Sequence, residues 1–328
     1  MSVDWKLLEE RLRSCESFIL CSHIRPDCDA LGSELGLAGI LQALGKKVRI
    51  VNGHPTPVSL SFIDPQSSIE VLNETTTAEQ VQGDCFIVLD TSAWAQLGPM
   101  GDVLREFDGM KLCIDHHVGE DDLGTEFFKD TKAEATGHMV AKLAKHAGVE
   151  LTKPMAMALF AAIATDTGWF RFGSTTSETY RVIAELVDAG ASPTEIYGEL
   201  YERNTAARIR LRGRILSHTV DEVDGTLVHT HVTREDFSET GAMPSDTEGA
   251  INMTMSIEGT QVALIFVEQL EGGVKVSFRS RSSVDCSAIA STFGGGGHKA
   301  AAGAFIEGSL AEVEAKVLPV IRAAMAAE

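Results

Sequence analysis

Residues 17–45 read SFILCSHIRPDCDALGSELGLAGILQALG, a strand, a loop and a helix in that order. SFILC is the short apolar run a buried strand needs, and DALGSELGLAGILQALG repeats its apolar residues at helical spacing until Gly45. The alternation continues. KKVRIVN, DCFIVLDTS and MKLCIDHH read as strands, and EATGHMVAKLAKHAG and KPMAMALFAAIATDTG as helices. Buried strands alternating with helices predict an α/β domain with a largely parallel sheet flanked by helices. Ligands of such sheets sit beyond the carboxyl ends of the strands. His23, Asp27 and Asp29 follow the first strand, Asp90 ends another, and Asp115, His116 and His117 end a third, with Asp166 closing a buried helix.

Further along, the pattern changes. IYGELYERNTAARIRLRGRILSH is helical and rich in arginine. TLVHTHVT, QVALIFVEQ and GGVKVSFRSR read as strands of a mixed or antiparallel sheet, with EGAINMTMS and the C-terminal LAEVEAKVLPVIRAAMAAE helical beside them. The expected organisation is a large α/β domain over 1–192, a helical linker over 193–218 and a smaller α+β domain over 219–328. The Ala-rich tail reads as a surface helix.

Composition narrows the function. The chain has 328 residues, 44% hydrophobic and 23% charged, which suits two folded domains. Its formal net charge is −19. So acidic a chain repels duplex DNA and anionic membranes, which argues against long duplex nucleic acid or a membrane as partner. A small anionic substrate needs metal ions or clustered arginines to invert the local field. None of the six cysteines forms a C-x-x-C pair, so they read as small buried hydrophobes in a reducing compartment. With no signal-peptide pattern and no long apolar run, the expected location is cytoplasmic.

Each candidate residue has an ordinary alternative. Asp27 and Asp29 each suit a helix N-cap, Asp90 a cap or turn, and His23 a satisfied histidine. Arg25 is a structural partner for one aspartate. Four separate groups of acids and histidines aimed at one crevice nevertheless call for divalent metal, because crowded carboxylates repel one another without a cation. Oxygen and imidazole donors without thiolate suit Mn2+, with Mg2+ or Co2+ as other occupants. Two such ions roughly 3.5–4 Å apart, bridged by a carboxylate and a water, are a standard device for phosphate-ester hydrolysis.

The ordered set HIRPDCDALGS, VLDTS, IDHH and IATDTGWF resembles the four motifs of the DHH phosphoesterase superfamily. VSFRSR…VDCSAIASTFGGGGHKAAAG resembles its glycine-rich associated domain, and the spelling is nearest the bacterial nano-RNase/adenosine 3′,5′-bisphosphate phosphatase branch. The resemblance implies that His23 and Asp27 hold one metal, that Asp29, His116 and Asp166 hold the second, and that Asp90 bridges them. It implies that Asp115 orients an imidazole and that His117 faces the substrate phosphate. It makes Arg279, Ser280 and His298 contacts to the nucleotide. Arg279 and Arg281, two apart, read as one face of a strand. Gly295, Gly296 and Gly297 read as a loop whose bare backbone approaches an anion, or as a flexible surface loop. The implied activity is two-metal hydrolysis of short oligoribonucleotides or nucleotide 3′,5′-bisphosphates, with a homodimer implied by relatives. Other readings are a soluble cyclic- or linear-dinucleotide phosphodiesterase and a non-catalytic nucleotide-binding regulatory protein. GGGGH speaks against a manganese pyrophosphatase, and the chain is smaller than the single-strand exonucleases. It departs from its relatives at Cys28, often a glycine, and in VGEDDLG after the histidine pair, where many have a small residue and an asparagine.

Overall fold

Helix α1 (Trp5–Ser14) leads into a sheet of six parallel strands: β1 (Ser17–Cys21), β2 (Lys47–Asn52), β3 (Ile69–Val71), β4 (Cys85–Leu89), β5 (Met110–Asp115) and β6 (Glu126–Lys129), in the order β3-β2-β1-β4-β5-β6. The computed structural model describes residues 3–119 and 121–326, and the chain divides into two units, Met1–Arg203 and Asn204–Glu328. Helices α2 (Cys28–Ala43), α3 (Trp94–Leu97), α4 (Met100–Glu106), α5 (Thr136–Ala147), α6 (Lys153–Asp166), α7 (Ser177–Asp188) and α8 (Pro193–Tyr201) complete the first unit.

The sheet is buried on both faces, which is why its strands read as unbroken apolar runs. Phe18 and Leu20 of β1 join one core with α2, α5 and α6. Ile19 and Cys21 join the other with Leu97 and Leu104 of α3 and α4. The chain leaves β1 toward β2 and β3, then returns to place β4 on the other side of β1. That reversal opens a crevice between β1 and β4, where doubly wound sheets bind ligands.

The pairing of α2 with α6 matters most for the site. A Cβ on Gly32 would lie 2.4 Å from the Ala158 carbonyl oxygen, and one on Gly36 2.4 Å from Leu159 Cδ2. Bare backbone on α2 therefore lets α6 approach closely. The acids at the start of α2 and at the end of α6 come to one place as a result.

In the second unit, α9 (Ala206–Ser217) precedes β7 (Val220–Glu222), β8 (Leu227–Val232), α10 (Arg234–Thr240), α11 (Ala250–Thr254), β9 (Val262–Glu268), β10 (Val274–Ser280), α12 (Cys286–Ser291), β11 (Gly296–His298), β12 (Ala301–Ile306) and α13 (Leu310–Ala326). Its mixed sheet runs β11-β12-β10-β9-β8-β7, with β8 and β9 parallel. Alternate residues of β9 feed two cores: Val262, Leu264 and Phe266 one, and Ala263, Ile265 and Val267 the other.

The segment 193–218 contains two helices, α8 and α9, separated at 202–205. The Ala-rich tail does more than lie on the surface: Val313, Val317, Leu318 and Ile321 of α13 are core residues. The arginine pairing needs correction. β10 ends at Ser280, so Arg281 lies past the strand in a bend, and a spacing of two no longer puts it on the face of Arg279.

Candidate active site

β1, β4 and β5 are neighbours, so their carboxyl ends lie side by side. Three triads of potential ligand atoms, each within 4.8 Å of one another, form there: His23, Asp27 and Asp90; Asp29, His116 and Asp166; and Asp90, His116 and His117.

Asp27 caps α2, its Oδ1 accepting from the N–H groups of Asp29 (3.0 Å) and Ala30 (3.1 Å). The cap and the cluster are therefore not alternatives, because His23 Nε2 lies 3.7 Å from the same oxygen and 3.5 Å from Asp90 Oδ2. Asp29, 2% exposed, accepts from Thr136 N–H and Gly137 N–H at the start of α5, both at 2.8 Å. A helix N-terminus favours a carboxylate. Asp90 also serves no cap. It follows β4 at φ +60°, a conformation costly for a non-glycine residue, and accepts from Thr136 Oγ1 at 2.9 Å.

His116 Nδ1 lies 3.1 Å from the Ala133 carbonyl, which can only accept, so that nitrogen donates and Nε2 is turned toward the acids. Nε2 sits 3.5–3.8 Å from oxygens of Asp29, Asp90 and Asp166. These separations exceed hydrogen-bond length, and the atoms face a common point. His23 Nδ1 likewise lies 3.0 Å from the Ile24 carbonyl, which turns Nε2 toward Asp27 and Asp90. Asp115 is fully buried and accepts from both the N–H (3.1 Å) and Nδ1 (2.8 Å) of His117, while Lys129 Nζ lies 3.3 Å from its other oxygen. Burial alone would raise its pKa, but hydrogen bonds from His117 and Ser92 outweigh burial and hold it at about 2.

Among the ligand candidates the electrostatics run the other way. Burial, then the charges of Asp90 and Asp166, push Asp29 well above the carboxylate range. Asp166 is pushed up to about 6, by burial first and then by Asp90 and Asp27, against the opposing His116. Burial opposes charge on His23, yet Asp27 and Asp90 outweigh it and push the ring up to about 11. The cluster demands positive charge, and without a cation it takes up protons. The donor set is carboxylate and imidazole only. The nearby Cys28 thiol is kept neutral, pushed up to about 12 mainly by burial. These residues fit hard or borderline divalent cations.

In the second unit, Arg279 is partly buried, and its Nη1 donates to the Phe278 carbonyl at 3.0 Å. Ser280 is buried, with its hydroxyl engaged by the Ser282 N–H at 3.1 Å. The glycine run is not a free loop. Gly296, Gly297 and His298 form β11, all exposed. Cβ atoms on Gly295 and Gly297 would fall 2.2 Å from the Gly303 carbonyl oxygen and 2.6 Å from that of Ala301. Those two glycines thus let β11 close on β12, whereas Gly294 and Gly296 have open space around them. Gly295 and Gly296 also line a cavity of about 360 Å3 with Lys275 and Gln269. In the stretch after the histidine pair, Glu120 lies outside the described residues.

The sequence reading missed Thr136, Gly137 and the Ala133 carbonyl, which hold Asp29, Asp90 and His116 in place. Their one signal was the predicted start of a helix in EATGHMV. It also missed the buried set of Asn52, Glu34 and Ser22. Asn52 accepts from Ser22 N–H at 3.0 Å and donates to Glu34 at 2.9 Å, just before His23.

A parallel sheet gathering carboxylates and imidazoles at its central strand ends, with a separate mixed-sheet unit, defines a two-unit protein whose first unit carries a cluster able to hold a cation. Residues 17–163 match the DHH family, N-terminal domain, and residues 224–327 match the DHHA1 domain; the chain belongs to the DHH family. It is 33% identical over 324 residues to the bifunctional oligoribonuclease and PAP phosphatase NrnA of Thermus thermophilus, covering 97% of this chain and 93% of that one. It is 32% identical to the Bacillus subtilis protein of the same name, covering 89% and 90%. The crystal structure of an exopolyphosphatase-related protein from Bacteroides fragilis is similar throughout, with TM-score 0.83, 26% identity and coverage of 98% and 94%.

Proposed function

We propose that this protein is a metal-dependent phosphoesterase that hydrolyses short oligoribonucleotides and adenosine 3′,5′-bisphosphate. The observation that carries the reading is the pair of carboxylate–imidazole groups on either side of Asp90. His23 and Asp27 would hold one ion, Asp29, His116 and Asp166 a second, and Asp90 both. When bound, two divalent ions, for which this donor set favours Mn2+, supply positive charge that eases deprotonation of water and neutralises phosphate oxygens. Asp115 fixes the His117 ring through Nδ1, which leaves Nε2 to hydrogen-bond a phosphate oxygen or to protonate the departing one. In the second unit, Arg279, Ser280, His298 and the glycine run Gly295, Gly296 and Gly297 would contact nucleotide. The relatives named above, matched over most of their length, support this choice of substrates. Six free, buried cysteines suit a reducing compartment such as the cytoplasm.

The test is release of phosphate from adenosine 3′,5′-bisphosphate, and of mononucleotides from di- to pentanucleotides, with Mn2+ supplied. Asp90→Asn should lower both activities by more than about 100-fold, because loss of a shared ligand exceeds the effect of losing an outer partner. Wild-type protein that binds Mn2+ yet acts on neither substrate would favour a non-catalytic nucleotide-binding role.

A further inference from the structure

After Asp166 the chain makes a turn that the acid cluster does not require. Gly168, Trp169 and Phe170 all have positive φ, at 56°, 59° and 64°. Two consecutive bulky residues in the left-handed region are costly, and such strain persists where the surroundings impose it. Here Trp169 N–H donates to the Ala164 carbonyl at 2.6 Å, and Phe170 N–H to Thr167 Oγ1 at 3.0 Å. Asp166 is already fixed at the end of α6. The turn instead brings Trp169 to two tyrosines of α8, with ring centroids 5.0 Å from Tyr197 and 5.7 Å from Tyr201. The two tyrosine rings lie 4.9 Å apart, and Phe160 backs Trp169 at 5.9 Å.

Tyr197 and Tyr201 remain 40% and 42% exposed. Trp169 follows Asp166 by three residues and its N–H is bonded back into the last turn of α6, so the tyrosines packed on its ring stand on the side of the first unit where Asp166 lies. The aromatic wall therefore adjoins the acid cluster within the first unit.

We propose that Tyr201, flanked by Tyr197 and backed by Trp169, is a stacking platform for the nucleobase adjoining the scissile phosphate. The inference rests on the phosphoesterase reading. A nucleotide phosphate carries a flat π-system within one sugar of the phosphorus, and exposed rings beside the phosphate site match it. Stacking accepts every base, so the platform binds bases with little sequence preference.

The experiment compares kcat/KM for a dinucleotide with kcat/KM for an abasic dinucleotide of the same backbone, with Mn2+ present. In wild type the base-bearing substrate is preferred. Tyr201→Leu should reduce that preference about 10-fold, mainly through KM, and Tyr201→Phe should keep it within about twofold. A preference unchanged in Tyr201→Leu overturns the proposal. So does a parallel fall for both substrates, which would mark a structural role, or a shift from dimer to monomer with the preference retained, which would mark a contact with a second copy. If wild type cleaves neither substrate, the phosphoesterase reading fails separately. The platform is then judged by binding of AMP against ribose 5-phosphate: a weaker Kd for AMP alone in Tyr201→Leu supports it, and equal effects on both overturn it.

Discussion

Asp27 shows how one side chain serves local folding and the site together. Its Oδ1 closes the first turn of α2 while the carboxyl group faces His23, and burial is outweighed by these hydrogen bonds, so its pKa is lowered. Capping fixes the rotamer, and a fixed rotamer lowers the cost of presenting the carboxylate to a cation. Thr136 does the same from α5. Its N–H holds Asp29 and its hydroxyl holds Asp90, in a fully buried position. Thr136→Val preserves the shape and the N–H but removes the hydroxyl. We expect Mn2+ affinity to weaken about 10-fold, the usual effect of losing an outer partner of a metal ligand. Isothermal titration with Mn2+ checks it, and an unchanged Kd would show that Asp90 needs no such support.

At the scale of elements, the close approach of α2 and α6 joins the acids of one helix start to the acid of one helix end. A methyl group on Gly32 meets the Ala158 carbonyl and Ala162 Cβ, which α6 backbone cannot avoid without moving. Overpacking costs about 1–3 kcal/mol, and the better helix propensity of alanine returns about 1 kcal/mol. Gly32→Ala should therefore lose up to about 2 kcal/mol in urea denaturation and weaken metal binding with it. Gly198→Ala in α8, where only Glu202 Oε2 at 3.8 Å is met, should be neutral or stabilising. Equal effects of the two substitutions would deny that helix separation limits the first unit. The helices and the central strands were legible because burial on both faces writes long apolar runs. The edges were not. β3 and β6 have three and four residues, too few for a pattern, and β11 is mostly glycine, whose meaning lies in the distance to β12. The cluster was legible where its residues follow predicted strands, at Asp90 and at Asp115–His117. It was illegible where a backbone group does the holding, as at Ala133 and Gly137, since any residue supplies a carbonyl or N–H.

At the scale of the whole molecule, a chain of net charge −19 gathers still more negative charge at the ends of its central strands. The pKa shifts state the cost as a dependence on pH. Asp166 is raised to about 6, so its contribution to stability is complete below about 4 and lost as pH rises to about 6. Asp29 shifts in the same direction. His23, raised to about 11, stabilises fully below about 6.5, and that contribution declines as pH rises toward 11. Asp166 therefore makes the metal-free protein less stable as pH climbs from about 4 to about 6, and His23 does so above about 6.5, so that together with Asp29 the loss runs through the range from 5 to 8. The same protons must leave before the groups can bind metal, so affinity for a cation climbs over that range. The stabilisation by metal, which follows RT ln(1 + [L]/Kd), should grow accordingly, by about 1.4 kcal/mol for each tenfold gain in affinity. Melting curves in about 1 mM Mn2+ and in chelator, taken at pH 5, 6, 7 and 8, measure it. The gap in Tm should widen with each step. A gap that stays constant or narrows would mean that these carboxylates and this imidazole do not bind the ion, and the cluster would need another explanation for its buried charge.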